Sequence, residues 1–123
     1  MNRSEQREKA MIAVYQYLLA ERDIDELAAD VYEGVQPDEY FKEVMHTAAV
    51  NAERYAGYIN EVLKGWTYER LGTIEKAILL NGCAEFDLKK TEAAVIINES
   101  VEMAKKYCEP ESYKLINSVL DII

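Results

Sequence analysis

Residues 41 to 55 read FKEVMHTAAVNAERY, the clearest helical pattern in the chain. Its apolar positions are Phe41, Met45, Ala48, Ala52 and Tyr55, which recur at steps of 4, 3, 4 and 3. This spacing places them along one side of a helix and predicts a seam that packs on another helix. Because no stretch alternates apolar and polar residues for long enough to predict a strand, the expected fold class is all-α.

The N-terminal part of the chain carries further helix signals. Ser4 is expected to be the N-cap of a first helix that runs to about Ala20. Asp25 is expected to cap a second helix that Gly34 ends, and Pro37 suits the first turn of the helix containing residues 41 to 55. These signals predict three helices before residue 56.

The C-terminal part continues the helical pattern. Gly57 is expected to break the chain before an apolar stripe that ends at Trp66. Thr73 and Thr91 are expected to cap two longer helices, and Pro110 marks the start of a last one. Gly82 lies inside the helix that starts at Thr73, and a close helix crossing would explain it. The sequence therefore predicts six or seven helices in a single domain, residues 1 to 123.

Composition limits the class of protein. The 123 residues are 50% apolar and 30% charged, which suits one globular domain with its own core. No apolar run approaches the roughly 20 residues of a membrane span, and the N-terminus lacks the apolar stretch of a signal peptide. Two cysteines are too few for a disulfide framework. A cytoplasmic location, without membrane contact, is expected.

Charge is distributed unevenly along the chain. The net charge is −9, but residues 23 to 41 carry seven acidic groups and no basic one, whereas residues 1 to 22 carry a small positive excess. The basic residues lie outside the acidic stretch and could therefore cluster in space. The overall charge argues against strong nonspecific RNA binding without excluding an RNA partner.

Catalytic and metal-binding patterns are absent from the sequence. His46 is the only histidine and has no further ligands at metal-binding spacing, so a solvent-edge or packing role is expected. Cys83 and Cys108 lie in helical apolar stripes without a neighbouring histidine, which favours packing over nucleophilic chemistry. There is no phosphate-binding glycine loop. The sequence predicts a protein that is not an enzyme and that needs no cofactor or metal.

The first helix combines basic and aromatic residues. Arg3 and Arg7 share a helix edge, and Tyr15 lies two turns beyond Arg7, about 12 Å along the axis. Cations that hold phosphates beside an aromatic ring that stacks on a base are typical of proteins that bind single-stranded RNA. The alternative is that both arginines are solvated surface charges and that Tyr15 belongs to the core.

Three blocks resemble the NusB family of bacterial transcription antitermination factors, and the resemblance extends over the whole chain. The first block is Arg7 to Tyr15, REKAMIAVY. The second is Trp66 to Leu71 followed by Ile74 to Leu79, WTYERL and IEKAIL, with the later acid Glu85. The third and most specific is Ile97 to Lys105, INESVEMAK, followed by Ser112, Asn117, Val119, Leu120 and Asp121.

The resemblance implies an all-α fold of two small helical bundles packed across one another. It also implies a function: binding of boxA RNA together with NusE, a ribosomal small-subunit protein, and support of terminator read-through by RNA polymerase in ribosomal RNA operons. A possible homodimer is left open.

Site residues follow from the resemblance position by position. The expected RNA contacts are Arg3, Arg7, Lys9, Tyr15 and Glu111, and the expected partner contacts are Glu75 and Glu111. Asn98 and Asn117 are expected to tie helices together through their amides.

The chain departs from the family pattern at its N-terminus. Ser4, Glu5 and Gln6 precede Arg7, so the family's opening arginine cluster is reduced to Arg3, Arg7 and Lys9. Each lost phosphate contact lowers the salt dependence of RNA binding. An alternative function is therefore a helical protein-interaction module in which RNA binding is weak or lost.

Overall fold

The computed structural model describes all 123 residues and contains seven α-helices and no strand. The helices are α1 (Arg3–Leu19), α2 (Ile24–Val31), α3 (Glu39–Val50), α4 (Ala52–Val62), α5 (Thr73–Leu88), α6 (Ala93–Tyr107) and α7 (Ser112–Ile122). A single 3₁₀ turn, Tyr68–Arg70, lies between α4 and α5. The prediction of an all-α fold with six or seven helices is confirmed.

The helices form two groups that meet along α5. Helices α1, α2 and α3 pack on one another, and α4 to α7 form the second group. Both α1 and α3 also pack on α5, which contacts every helix except α2 extensively. The two-bundle arrangement that the family resemblance implied is therefore present, with α5 as its common element.

Helix α5 is buried on all sides in its middle section. Every residue from Ala77 to Glu85 is buried, as expected for a helix that is covered by neighbours all around. Gly82 allows α7 to approach: a Cβ atom at this position would lie 3.0 Å from Cδ2 of Leu120. The close helix crossing predicted at Gly82 is confirmed.

The helical seam of residues 41 to 55 is divided between two helices. Helix α3 ends at Val50, and α4 begins at Ala52, because Asn51 leaves helical geometry with φ −106° and ψ 16°. The Asn51 amide donates a hydrogen bond to the Thr47 carbonyl at 3.0 Å and so satisfies an acceptor at the end of α3. Asparagine competes well for backbone groups, which explains why the break occurs here.

The break predicted at Gly57 is wrong. Gly57 lies inside α4, in an exposed position with open space where a side chain would be. Helix α4 ends at Val62, so Trp66 lies in the following loop and not on the helical stripe that the sequence predicted.

The two asparagines expected to tie helices together do not do so. Asn98 and Asn117 are exposed, and neither side chain makes a hydrogen bond within the chain. Asn60 does take such a role, because its Oδ1 accepts the backbone N–H of Tyr68 at 2.7 Å and anchors the 3₁₀ turn.

A buried ion pair joins the two bundles. The Arg7 guanidinium on α1 donates from Nη2 and Nε to the two carboxylate oxygens of Glu85 on α5, at 2.7 and 3.0 Å. Their side chains are 4% and 2% exposed. Arg7 Nη1 also donates to Glu99 on α6 at 3.2 Å, and the Tyr40 hydroxyl on α3 donates to Glu85 at 2.7 Å. Four helices therefore meet at one charge cluster.

The position of Arg7 follows from its place on α1. It shares a buried face with Ala10, Met11 and Val14, at helical spacings of 3, 4 and 7. Burial alone would lower the pKa of Arg7, but the hydrogen bonds and negative charge of Glu85, helped by Glu99, raise the pKa above its ordinary value. Arg7 was predicted to contact RNA, with a solvated surface charge as the alternative, and both roles need an exposed guanidinium that the buried side chain does not offer.

Removing the charge of Arg7 is expected to destabilise the protein strongly. Arg7→Gln leaves the Glu85 carboxylate buried without its ionic partner, which costs about 3 to 5 kcal/mol of unfolding free energy. The measurement is urea denaturation followed by circular dichroism. Lys90→Gln is the matched control, because it removes the exposed Lys90–Glu43 pair and is expected to change stability little. Equal stability of the two variants would contradict a structural role for Arg7.

A substitution at Asn81 is expected to stabilise the protein, in contrast to the substitution at Arg7. Its side chain lies buried in α5, and neither Nδ2 nor Oδ1 has a hydrogen-bond partner. A buried unpaired polar group costs about 1 to 3 kcal/mol, so Asn81→Leu is expected to raise the unfolding free energy by about that amount. Asn60→Leu is the control and is expected to destabilise, because Asn60 is bonded to the backbone. A loss of stability in Asn81→Leu would show that the amide has a favourable role.

Candidate nucleic-acid interface

A pocket of about 490 Å³ lies where four helices come together. Its wall includes Tyr15 of α1, the first turn of α5 with Glu75, the C-terminal end of α6 with Tyr107, and Ser112 at the start of α7. Two residues that the family resemblance selected, Tyr15 and Glu75, are therefore neighbours in space although 60 positions separate them in sequence. This convergence defines the candidate site, which we call the α1–α5 pocket.

Tyr15 can serve both the fold and a ligand. The residue is half-buried and packs against the hydrophobic core, while part of its ring lines the pocket. Its hydroxyl makes no hydrogen bond within the chain. A half-buried tyrosine that lines a pocket is suited to stacking on a nucleobase, because its packing against the core restricts its orientation before binding.

Glu75 is fixed by the start of α5. Its Oε1 accepts the backbone N–H of Gly72 at 2.8 Å, the return bond of a capping box. Carboxylate acceptor capacity remains after this bond, since each carboxylate has about four acceptor sites. Glu75 can therefore accept hydrogen bonds from the amino group of a base or from a partner protein.

Glu111 lies at the rim of the pocket. Its neighbours Pro110 and Ser112 both line the pocket. The Glu111 side chain is exposed, and its Oε2 forms an ion pair with Lys114 Nζ at 2.7 Å. Glu111 therefore lies next to the pocket that Tyr15 and Glu75 line.

Glu8 was not singled out from the sequence, although it joins α1 to α6 beside the pocket. The Tyr107 hydroxyl and the Lys106 ammonium both donate to Glu8 Oε1, at 2.6 and 2.7 Å. Partial burial would raise the pKa of Glu8, but these two hydrogen bonds lower it, and the carboxylate stays ionised. The spacing of Glu8 and Tyr15, seven residues apart on one helix edge, was the only signal in the sequence.

The other predicted cations lie away from the pocket. The Arg3 guanidinium is exposed and lies 4.8 Å from the ring centroid of Tyr40 and 5.0 Å from that of Phe41. Lys9 is partly exposed and forms no ion pair. Along the axis of α1, Lys9 lies about 9 Å and Arg3 about 18 Å before Tyr15. With Arg7 buried, these are the only cations in the N-terminal half of α1 that can meet a phosphate.

The thiols and the histidine take the packing and surface positions that the sequence predicted. Cys83 is buried in α5, and burial raises its pKa to about 12. Cys108 lines the pocket, and burial together with Glu75 and Glu109 raises its pKa to about 11. Both thiols are therefore protonated near neutral pH and are poor nucleophiles. His46 is exposed on α3.

The acidic residues between 23 and 41 contribute nothing to the pocket wall. Their carboxylates are exposed on α2, the following loop and the start of α3, and Arg22 pairs with two of them, Glu26 and Asp30. The main source of negative charge is thus separate from the candidate site.

None of the helices is long and apolar enough to cross a membrane.

Comparisons with known proteins agree with this fold. The NusB family model matches residues 4 to 123. The transcription antitermination protein NusB of Exiguobacterium sp. is 33% identical over 123 residues, which cover 98% of this chain and 94% of that protein. NusB of Shouchella clausii is 30% identical over 122 residues, which cover 98% of this chain and 92% of that protein.

Solved structures show the same architecture. A chain in the crystal structure of antitermination factors NusB and NusE in complex with dsRNA is 28% identical and superposes with a TM-score of 0.85, with 99% of this chain and 96% of that chain covered. NusB of T. maritima, 22% identical, superposes with a TM-score of 0.85 over 99% of this chain and 89% of its own, and supports the fold.

The relatives are antitermination factors and not enzymes, which confirms the prediction of a non-enzymatic protein. The match spans nearly the whole chain in the family model, in the relatives and in the structures. The chain therefore belongs to the NusB family.

Proposed function

We propose that the protein binds boxA RNA together with NusE and, as part of an RNA polymerase antitermination complex in the cytoplasm, supports read-through in ribosomal RNA operons. The observation that carries this proposal is the convergence of Tyr15 and Glu75 in the α1–α5 pocket, with Glu111 at its rim. A related chain has been crystallised with NusE and dsRNA, which makes the same partners reasonable for this one.

Each candidate residue has a distinct task in this proposal. Tyr15 stacks on an unpaired base. Glu75 and Glu111 accept hydrogen bonds from base amino groups or from NusE. Because carboxylates repel a phosphate, they favour contacts with bases over contacts with the RNA backbone. Arg3 and Lys9 neutralise phosphates of the RNA on its way along α1.

The charge of the chain makes a basic partner important. Arg7 is buried in its ion pair with Glu85, so α1 offers fewer phosphate contacts than its sequence suggests. A second basic surface would add contacts that this chain lacks, and RNA affinity should rise when NusE binds. The same burial of Arg7 favours the alternative function, an interaction module that binds NusE while RNA binding is weak.

The first test compares two tyrosines of α1. Tyr15→Ala is expected to weaken boxA binding about 5- to 150-fold, the range for loss of one base stack. Tyr17→Ala is the matched control, because Tyr17 is also half-buried against the core but does not line the pocket. Fluorescence anisotropy with labelled RNA measures affinity, and melting curves define a temperature at which both variants are folded. Equal RNA affinity of the two variants would contradict the assignment of Tyr15.

The second test separates the two functions. Calorimetry should show a complex with NusE, and the boxA affinity of that complex should exceed the affinity of either protein alone. By linkage, RNA must tighten the heterodimer by the same factor. A stable heterodimer without any gain in RNA affinity would favour the interaction module, and failure to form a heterodimer would contradict both functions.

A further inference from the structure

The only tryptophan of the chain stands exposed in the loop between α4 and the 3₁₀ turn. Trp66 is 49% exposed and is not among the residues that pack against the hydrophobic core. Its indole N–H makes no hydrogen bond within the chain. The ring and its N–H donor are therefore both available to a ligand.

An arginine covers one face of the indole. The Arg70 guanidinium carbon lies 5.8 Å from the Trp66 ring centroid, within cation–π distance. Arg70 forms no ion pair, and neither do Lys64 and Lys76. The Lys76 ammonium on α5 lies 5.1 Å from the ring centroid of Tyr68. Tyr68 belongs to the same 3₁₀ turn as Arg70. Arg70 is thus an unpaired cation on the exposed ring, while Lys64 lies two residues before Trp66 and Lys76 lies beside the 3₁₀ turn.

Two other exposed cation–aromatic pairs, those of Arg54 and Lys106, are neutralised by carboxylates, whereas Arg3 beside Tyr40 forms no ion pair. Arg54, which lies 5.5 Å from the ring centroid of Tyr58, is paired with Asp87 at 2.8 Å. Lys106, which lies 5.4 Å from the ring of Tyr107, is paired with Glu8 at 2.7 Å. At Trp66 the positive charge remains available to a ligand.

The local charge contrasts with that of the whole chain. Residues 64 to 76 carry a net charge of +1 in a protein with a net charge of −9. Of the two carboxylates in this segment, Glu75 is engaged by the Gly72 N–H, while Glu69 is exposed. A polyanion meets less repulsion here than over most of the surface.

This segment leads directly into the α1–α5 pocket. Arg70 is two residues before Gly72, which lines the pocket, so their Cα atoms are at most about 7 Å apart. A strand of RNA that leaves the pocket at the start of α5 along this segment would approach Arg70 and the Trp66 ring.

We propose that Trp66, with Arg70 on one face of its ring, is a second stacking platform for single-stranded RNA, and that Lys64 and Lys76 hold the adjacent phosphates. The open face of the indole receives a base, and Arg70 supports the ring from the other side. This inference rests on the proposed function, because it extends the RNA path of the same site. Unpaired cations beside a free aromatic face favour RNA over an apolar protein segment as the ligand.

The single tryptophan makes the test direct. Unlabelled boxA RNA is titrated into the protein, alone and with NusE, while the fluorescence of Trp66 and the anisotropy of a labelled RNA are recorded in parallel. Stacking of a base should quench the fluorescence along the same isotherm as binding. Trp66→Ala should weaken binding about 5- to 150-fold, and Trp66→Phe should retain most of the affinity because the ring remains.

Tyr58→Ala is the matched control and is expected to bind RNA with unchanged affinity, since Tyr58 is an exposed ring whose arginine is already paired. RNA binding without quenching and with unchanged affinity of Trp66→Ala would overturn the platform but leave the proposed function standing. Quenching by NusE alone, with no further change on adding RNA, would assign Trp66 to the protein partner and also overturn it. Absence of RNA binding under both conditions would reject the proposed function and the platform together.

Discussion

The Arg7–Glu85 ion pair is the interaction on which the rest of the structure depends. It connects α1 to the buried centre of α5, and its remaining hydrogen-bonding groups reach α3 through Tyr40 and α6 through Glu99. A buried charge pair of this kind adds little net stability compared with an apolar contact, but either charge alone would be costly. The pair therefore fixes which face of α1 meets α5.

That fixed orientation has a consequence for the site. Tyr15 lies about two turns after Arg7 on the same helix, so setting Arg7 on Glu85 also sets where Tyr15 meets the first turn of α5. Glu8, next to Arg7, adds a second connection to the end of α6 through Lys106 and Tyr107. The pocket is thus built on helices whose relative positions are held by polar contacts, and little reorganisation is needed when a ligand binds.

Much of the architecture could be predicted from local sequence. Apolar spacing gave the helical class, and Gly82 indicated the crossing at which Leu120 of α7 approaches α5. The break at Asn51 could not be predicted from the apolar seam, because that seam continues across it while the asparagine side chain redirects the backbone. Tertiary context decides between a continuous helix and two helices in such a case.

The candidate site was predicted only in part. Tyr15 and Glu75 line one pocket in the structure, and Glu111 lies between two of its lining residues, Pro110 and Ser112. Arg7 was misassigned because a basic residue suggests solvent, although its spacing from Ala10, Met11 and Val14 places it on the buried face. Its partner Glu85 is 78 residues away, a separation that no local pattern reveals. Trp66 was assigned to a helical stripe, because the end of α4 at Val62 has no strong sequence signal.

In the proposed function, RNA meets this protein at the junction of α1, α5, α6 and α7 and not on its acidic side. Hydrogen exchange of backbone amides, followed by mass spectrometry with and without boxA RNA in the presence of NusE, tests it most directly. We expect slower exchange at residues 72 to 76 and 107 to 112 when RNA is added to the heterodimer, and unchanged exchange across residues 23 to 41. RNA-dependent protection confined to residues 23 to 41 would contradict it.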